Sequence, residues 1–323
     1  MVTRRKRKAK KTTKPRSVLA LIVLIAFACV VYEPLTALIG DRQATPEIAT
    51  RGTGTVTAKA VQEDAEGPAT SAISEGVSAN QEATSAASLS QDDITDLELP
   101  APLTDRPERI LKRKSYTTSY NNETRLPNWV AWELTPEKLV ERESRTNKFL
   151  PDPDLPEAEA VTTDDYKNSG WDRGHMCPAG DNRWHWRAMT ESFYMTNICP
   201  QHHNLNRGDW KELEEDCRRW AEATGRVYIV CGPILYRQEH QTIGREHQVT
   251  VPEAFFKVIL CMETTPPRAV GFIYKNASGN HPLDSYVNTV DEVERITGID
   301  FFPALPDEVE RVVEASYDLS LWR

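Results

Sequence analysis

The sequence lacks the overall positive charge that is common in proteins that bind nucleic acids without regard to sequence. Its formal net charge is −9. Nine lysines and arginines and no acidic residue lie within residues 1–16, so the rest of the chain carries −18. Non-specific attraction to phosphates usually needs a basic surface. The composition therefore excludes binding spread over the whole surface, and an anionic substrate must meet a local cluster of arginine and lysine.

Residues 41–100 lack aromatic side chains and show little apolar periodicity, while Ala, Ser, Thr, Glu and Gln dominate. Such a segment buries too little apolar surface to offset the entropy of ordering it. It is predicted to be a disordered acidic linker. All eight tryptophans follow it, and residues 101–323 are long enough for one domain with a sizeable core. No internal repeat is apparent.

The N-terminal segment combines a basic tail with an apolar stretch. Residues 17–32 contain no charge, but they are fewer than the roughly 20 residues that span a bilayer. The stretch can be extended to residue 40. A basic flank before an apolar run is typical of a signal anchor or a signal peptide, with residues 1–16 in the cytoplasm. The expected location is extracytoplasmic, either anchored to the membrane by an N-terminal helix or secreted after cleavage near Ala28.

The remainder of the chain alternates strands and helices irregularly. Apolar runs predict strands over residues 129–134, 226–235, 254–263 and 268–276. Helical spacing of Trp210, Leu213, Cys217 and Trp220 predicts an amphipathic helix over 209–225 that ends at Gly225. Two further helices are predicted over 287–298 and 306–316. The irregular order favours a mixed α/β sheet over a regular doubly wound one.

Two clusters contain the residues that can carry chemistry. The stretch SGWDRGHMCPAGDNR, interpreted as a loop, places Asp172, Arg173 and His175 around one glycine. A lone histidine is most often structural. The stretch TNICPQHHNLNRGDWKELEEDCR adds asparagines, a glutamate and an arginine. Together the clusters supply an imidazole for general-base chemistry, oxygen ligands for a hard divalent cation and guanidinium charge for a phosphate.

DRGHMCPAGD followed by TNICPQHHNLNRGDWKELEE resembles the DNA/RNA non-specific endonucleases that have a ββα-metal active site. The resemblance extends from about Leu126 to Ala315. It implies an α+β fold with a mostly antiparallel central sheet flanked by helices. It also implies DNA and RNA as substrates, Mg²⁺ as the cofactor with Mn²⁺ as a substitute, and 5′-phosphate products.

The resemblance implies a role for each matching residue. His175 would deprotonate the attacking water, and Arg173 would stabilise charge in the transition state. Asn206 would be the one direct protein ligand of Mg²⁺, and Glu214 would hold a metal-bound water. A single neutral ligand is consistent with Mg²⁺, which gives up its water reluctantly.

Further positions match residues that surround this centre in the family. Arg218 and Arg145 would bind phosphate. Asn197 would support the loop and the metal waters, and it is assigned to the substrate-binding residues. Asp172 would brace the motif through hydrogen bonds.

Two alternatives remain open from the sequence. One is a structural zinc site built from His175, Cys177, Cys199, His202 and His203, although paired C-x2-C and H-x3-H spacings are missing. The other is a catalytically inactive nucleic-acid-binding or scaffold domain. Five cysteines fall within residues 101–323, so at least one would stay unpaired if the domain formed disulfides; Cys177 and Cys199 are candidates for a pair. The oligomeric state does not follow from the sequence.

Overall fold

A computed structural model describes residues 95–323. The predicted basic tail (1–16), the predicted anchor (17–40) and residues 41–94 of the predicted linker lie outside the described residues. Within the described range, no helix combines the length and the apolar character needed to cross a bilayer. Leu97, close to the start of this range, is 1% exposed.

The described residues form short and long strands interspersed with helices. The strands are β1 (Arg109–Lys112), β2 (Thr117–Asn121), β3 (Leu126–Leu134), β4 (Asp172–His175), β5 (Ile198–Gln201), β6 (Val227–Ile234), β7 (Thr242–Ile243), β8 (Val249–Thr250), β9 (Ala254–Cys261), β10 (Arg268–Lys275) and β11 (Val287–Asn288). The α-helices are α1 (Thr163–Tyr166), α2 (Trp186–Glu191), α3 (His203–Arg207), α4 (Asp209–Thr224), α5 (Val290–Thr297) and α6 (Asp307–Glu314).

The main sheet has seven strands in the order β1-β2-β3-β6-β9-β10-β11. Every neighbouring pair in it is antiparallel. The predicted mixed fold with a mostly antiparallel central sheet is therefore confirmed. The four predicted strands correspond to β3, β6, β9 and β10.

Helices cover both faces of this sheet, because successive side chains of a strand point to opposite sides. On β9, Phe255 belongs to the core cluster that includes Trp210 of α4. The next residue, Phe256, contacts Phe301 at a ring-centroid distance of 5.4 Å. On β10, Gly271 leaves room for Val293 of α5. Helix α4 and helix α5 thus pack on opposite faces.

Helix α4 confirms the prediction from apolar spacing. Trp210, Leu213, Cys217 and Trp220 are all buried. The helix ends at Gly225, whose φ of 96° suits glycine because other side chains rarely adopt that conformation. The predicted helices near the C-terminus are also confirmed, except that residues 287–288 form β11 before α5 begins.

The DRGH motif lies on strand β4, and its interpretation as a loop was wrong. Strand β4 pairs antiparallel with β5, so that Gly174 lies opposite Cys199 and His175 opposite Ile198. A two-stranded hairpin of four residues a side has too short an apolar pattern to be recognised from sequence. Gly174 is required by close approach, because a Cβ there would lie 2.2 Å from Oε1 of Gln201.

Replacing Gly174 with alanine is expected to destabilise the hairpin by about 1–3 kcal/mol, the usual cost of overpacking a filled site. Urea unfolding followed by tryptophan fluorescence measures this loss. Adding Gln201→Ala removes the contacts to Oε1 and Cδ at 2.2 and 2.8 Å but keeps the Cβ contact at 2.6 Å. The double variant should therefore recover part of the loss. Equal stability of Gly174→Ala and the wild type would contradict this account.

Candidate active site

The site is assembled from β4, β5 and the two helices that follow them. Two side-chain hydrogen bonds attach the helices to β4. Nδ2 of Asn206 on α3 donates to Oδ2 of Asp172 at 2.9 Å. Nε1 of Trp210 on α4 donates to the backbone oxygen of His175 at 3.3 Å. The arrangement is a ββα unit that brings the two sequence clusters together.

His175 lies in an aromatic pocket. Its side chain is 8% exposed, and its ring meets Phe193 edge-on at 4.7 Å and Phe149 at 5.4 Å between centroids. Nε2 is buried and has no hydrogen-bond partner. Burial, reinforced by the charges of Arg145 and Arg173, lowers the pKa of His175 to about 3. The imidazole is therefore neutral at physiological pH and has a nitrogen able to accept a proton.

The two arginines that act on His175 lie against the same aromatic rings. The guanidinium carbon of Arg173 is 4.3 Å from the centroid of Phe149. That of Arg145 is 5.6 Å from the centroid of Phe193. Both side chains belong to exposed residues, so the cations lie at the mouth of the pocket that holds the imidazole. The predicted phosphate-binding Arg145 is thus placed beside the predicted base.

Asp172 orients Asn206. Besides the bond from Asn206, it contacts Nδ1 of His203 at 3.0 Å. Partial burial opposes ionisation of Asp172, but the hydrogen bonds from Asn206 and His203 outweigh it and lower the pKa of this carboxyl. Because the amide nitrogen of Asn206 is engaged, the carbonyl oxygen is the end of the side chain that can bind a cation. The contacts agree with a bracing role for Asp172.

Glu214 and Arg218 lie one turn apart on α4. Burial raises the pKa of Glu214 to about 7, against the opposing charges of Lys257 and Arg218. Arg218 donates to Asp181 at 2.9 Å, and Asp181 also accepts from Nε1 of Trp132 at 3.1 Å. This buried carboxylate fixes the direction of the arginine. The side chain of Arg218 keeps 23% exposure, so it remains accessible to a phosphate.

Asn197, which the sequence assigns to the substrate-binding residues, lies in the interior of the protein. It is completely buried. Its amide oxygen accepts from the backbone nitrogen of Cys177, and its amide nitrogen donates to the backbone oxygens of Cys177 and Ser192. All these partners are main chain, so the side chain does not reach a substrate. Its geometry is that of a support for the turn after β4.

Several residues of the site have no strong sequence signal. Phe149 and Phe193 form the pocket of His175 from distant parts of the chain, and phenylalanine by itself indicates only a core position. Lys257 is completely buried behind the site, with Nζ 4.4 Å from the ring centroid of Trp210. Asp181 could have been found, because it directly follows DRGHMCPAG in the same motif.

The donors present suit a hard divalent cation. Asn206 offers an amide oxygen and Glu214 a carboxylate, which are the ligand types that Mg²⁺ prefers. The zinc alternative finds no support in the described residues. Cys177 and Cys199 are buried free thiols. Within residues 95–323, neither cysteine belongs to a group of His, Cys, Asp and Glu side chains close enough together to hold an ion.

Acid should destabilise the fold through His175. Its pKa is about 3 in the folded protein and about 6.5 in an unfolded chain. Below pH 6.5 the unfolded state therefore binds more protons, and stability falls as the pH drops toward 3. Between pH 7 and pH 4 the loss is about 3 kcal/mol at 1.4 kcal/mol per pH unit. Glu214 and Glu314, whose pKa values are raised, gain stability on acidification, but they do so in both proteins. Urea unfolding should therefore show that, from pH 7 to pH 4, the unfolding free energy of the wild type changes about 3 kcal/mol less favourably than that of His175→Gln. Equal changes in the two proteins would refute the depressed pKa.

A ββα unit of this composition on an antiparallel sheet defines a class of metal-dependent nucleases. The profile of the DNA/RNA non-specific endonucleases matches residues 97–308, and the chain belongs to that family. The resemblance drawn from the two motifs is thereby confirmed.

The chain is similar to several curated nucleases. Nuclease EXOG, mitochondrial, of Danio rerio is 39% identical over 217 residues, which cover 62% of this chain and 63% of that protein. Nuclease 1, mitochondrial, of Schizosaccharomyces pombe is 33% identical over 226 residues, covering 64% and 69%. The chain covers less than two thirds of the EXOG nucleases, between 56% and 63% of their length.

A solved structure shows the same fold. A chain of the EndoG/EndoGI complex superposes with a TM-score of 0.60 at 27% sequence identity. The match covers 66% of this chain and 91% of that one.

Proposed function

We propose that this protein is a Mg²⁺-dependent endonuclease that hydrolyses phosphodiester bonds in DNA and RNA without reading their sequence. The observation that carries the proposal is the state of His175. Its Nε2 is buried without a partner, and burial with two nearby arginines keeps the ring neutral. A histidine that served only the fold would normally have its ring nitrogens hydrogen-bonded. Relatives named as nucleases support the same activity.

The residues of the site have separate roles in the proposed reaction. His175 takes a proton from water as the water oxygen attacks phosphorus. The P–O3′ bond breaks, and the leaving O3′ takes up a proton from solvent, so the products are a 5′-phosphate and a 3′-hydroxyl. Arg173 and Arg145 lie beside the imidazole and place positive charge where the phosphate gains negative charge. Together with burial, which is the larger cause, their charge keeps His175 unprotonated before substrate arrives.

Asn206 and Glu214 are the residues that would hold the cation, Asn206 directly and Glu214 through water. When bound, Mg²⁺ supplies positive charge to the phosphate and to the leaving oxygen. Asp172 acts through Asn206, because its hydrogen bond fixes the orientation of the amide. Mn²⁺ prefers the same oxygen ligands and is expected to substitute.

An open groove beside the site fits a nucleic-acid backbone. Residues of the catalytic motif line it together with basic and aromatic side chains: Phe149, Tyr166, Lys167, Trp171, Arg173 and Arg207. Its three cations outnumber the two carboxylates of its lining, Asp164 and Asp172, so the groove carries the local positive charge that an acidic chain requires. Contacts to phosphate and sugar carry no sequence information. The expected substrates are therefore DNA and RNA of any sequence.

A plasmid-nicking assay with Mg²⁺, Mn²⁺ or EDTA tests the activity, and a parallel assay with total RNA tests the second substrate. The expected result is cleavage of both with either metal and none with EDTA. End-labelling then identifies the terminal phosphate. Binding without cleavage would instead support the inactive nucleic-acid-binding domain, and unfolding on chelation would support a structural metal.

We also propose that the segment before residue 95 holds the domain outside the cytoplasm, as a membrane anchor followed by an acidic tether. The order of basic tail, apolar run and acidic segment supports this location. Some relatives are named as mitochondrial, and a targeting segment for another compartment is the competing explanation. Protease added to intact cells stripped of their outer layers should remove the domain and leave a small membrane-bound stub. Sequencing the mature N-terminus separates an anchor from cleavage near Ala28.

A further inference from the structure

Three carboxylates converge where helices α5 and α6 meet. Asp291 and Glu294 lie on α5, and Glu314 is the last residue of α6. One oxygen of each lies within 4.8 Å of the oxygens of the other two. These helices contact β10, and α5 packs on the sheet face opposite to α4. The cluster is therefore separate from the ββα site.

Glu314 is an unsatisfied buried group within this cluster. Its residue is 5% exposed, and its Oε1 is buried without a hydrogen-bond partner. It also lies at the C-terminal end of a helix, where the backbone dipole disfavours negative charge. Burial, followed by the charges of Glu294, Glu310, Asp291 and Asp300, raises the pKa of Glu314 to about 9.

The basic residue of helix α5 binds a carboxylate outside the cluster. Arg295, on the same helix as Asp291 and Glu294, donates to Glu292 at 2.6 and 2.8 Å. Glu294 accepts one bond, from the backbone nitrogen of Phe301 at 2.7 Å. That bond fixes the position of the carboxylate but does not neutralise it. The cluster therefore gathers acidic groups around a buried oxygen, and burial raises the pKa of Glu294 to about 7 as well.

We propose that Asp291, Glu294 and Glu314 form a second divalent-cation site, suited to Ca²⁺ and distinct from the catalytic centre. All three donors are carboxylates, the ligands of hard cations. Ca²⁺ binds oxygens at about 2.3–2.6 Å in flexible geometry, so oxygens on its opposite sides lie about 4.6–5.2 Å apart. The three oxygens lie within 4.8 Å of one another, close enough for one ion to contact all three. Asp291 is exposed, which leaves room for water to complete the coordination.

A cation at this position would join α5 to α6. It would also give the buried, unpartnered oxygen of Glu314 a partner. Because the ion binds only the folded chain, it would raise thermal stability. None of these consequences depends on nuclease activity, and the site can be present whether or not the proposed cleavage reaction is correct.

The test uses the full chain with Asn206→Ala, which weakens the catalytic site as a second place for the ion. Calcium chloride is titrated by calorimetry, and thermal unfolding is recorded with Ca²⁺ and with EDTA. The expected result is one Ca²⁺ per chain and a higher melting temperature. Adding Glu314→Gln or Asp291→Asn should weaken binding about tenfold or more, since affinity follows ligand charge. Glu308→Gln changes an exposed residue of α6 and should leave the Ca²⁺ affinity unchanged.

Two results would overturn the site. One is the absence of Ca²⁺ binding in the Asn206→Ala chain. The other is a Ca²⁺ affinity that neither Glu314→Gln nor Asp291→Asn changes. If Glu314→Gln raises stability in EDTA and no Ca²⁺ binds, Glu314 is simply a buried protonated acid. Asp291 is exposed, so its variant should fold even if the change at Glu314 prevents folding.

Discussion

Replacing His175 with alanine is expected to lower the rate of phosphodiester hydrolysis about 10²–10⁴-fold, the usual effect of removing a general base. The physical reason is that no other side chain described in this pocket offers an uncharged nitrogen or oxygen that could accept a proton. Nε2 has no partner, while the flanking side chains are the cations Arg145 and Arg173 and the rings of Phe149 and Phe193. A water near the phosphate would then lose its proton only to solvent.

The measurement is the initial rate of nicking at saturating Mg²⁺. Circular dichroism and the melting temperature establish that the variant is folded. His240→Gln is a suitable control, because His240 contacts Glu253 outside the catalytic elements, and it should retain the wild-type rate. A folded His175→Ala protein with most of its activity would exclude His175 as the base.

The second large effect is expected from Asn206→Ala, through metal binding. Asn206 is the proposed direct ligand, whereas Glu214 acts through water. Loss of a residue one step from the metal typically costs about 10–100-fold in metal affinity or activity. We therefore expect a loss of that size for Glu214→Ala and a larger one for Asn206→Ala. The loss of activity in Glu214→Ala should also become smaller as the Mg²⁺ concentration rises, because Glu214 holds water around the ion and does not bind it directly.

The measurement is the Mg²⁺ concentration that gives half-maximal activity, together with Mn²⁺ affinity measured by paramagnetic resonance. Asn204→Ala is a matched control on the same helix. Its side chain is exposed and donates to Ser278 at 3.1 Å, away from Asp172. It should leave the metal dependence unchanged. An unchanged metal dependence in Asn206→Ala would remove Asn206 from the ligand assignment.

The sequence by itself determined the elements whose pattern is local. Helix α4 was predictable because Trp210, Leu213, Cys217 and Trp220 repeat at helical spacing. The inner strands were predictable because both of their faces are buried and their sequences are continuous apolar runs. The two motifs also identified the family, since their residue order carries information that does not depend on contacts. The hairpin β4–β5 was missed because four-residue strands show no usable period.

Only the tertiary structure decided the electrostatic state of the site. His175 has a low pKa because Phe149, Phe193 and Arg145 reach it from other parts of the chain. Asn197 seemed able to meet substrate until its position showed it buried among backbone groups. Desolvation and hydrogen bonding act over a few ångströms in space, and the residues that supply them are separated by tens of positions in sequence. The convergence of Asp291, Glu294 and Glu314 has the same origin, because α5 and α6 come together only when both pack on the sheet.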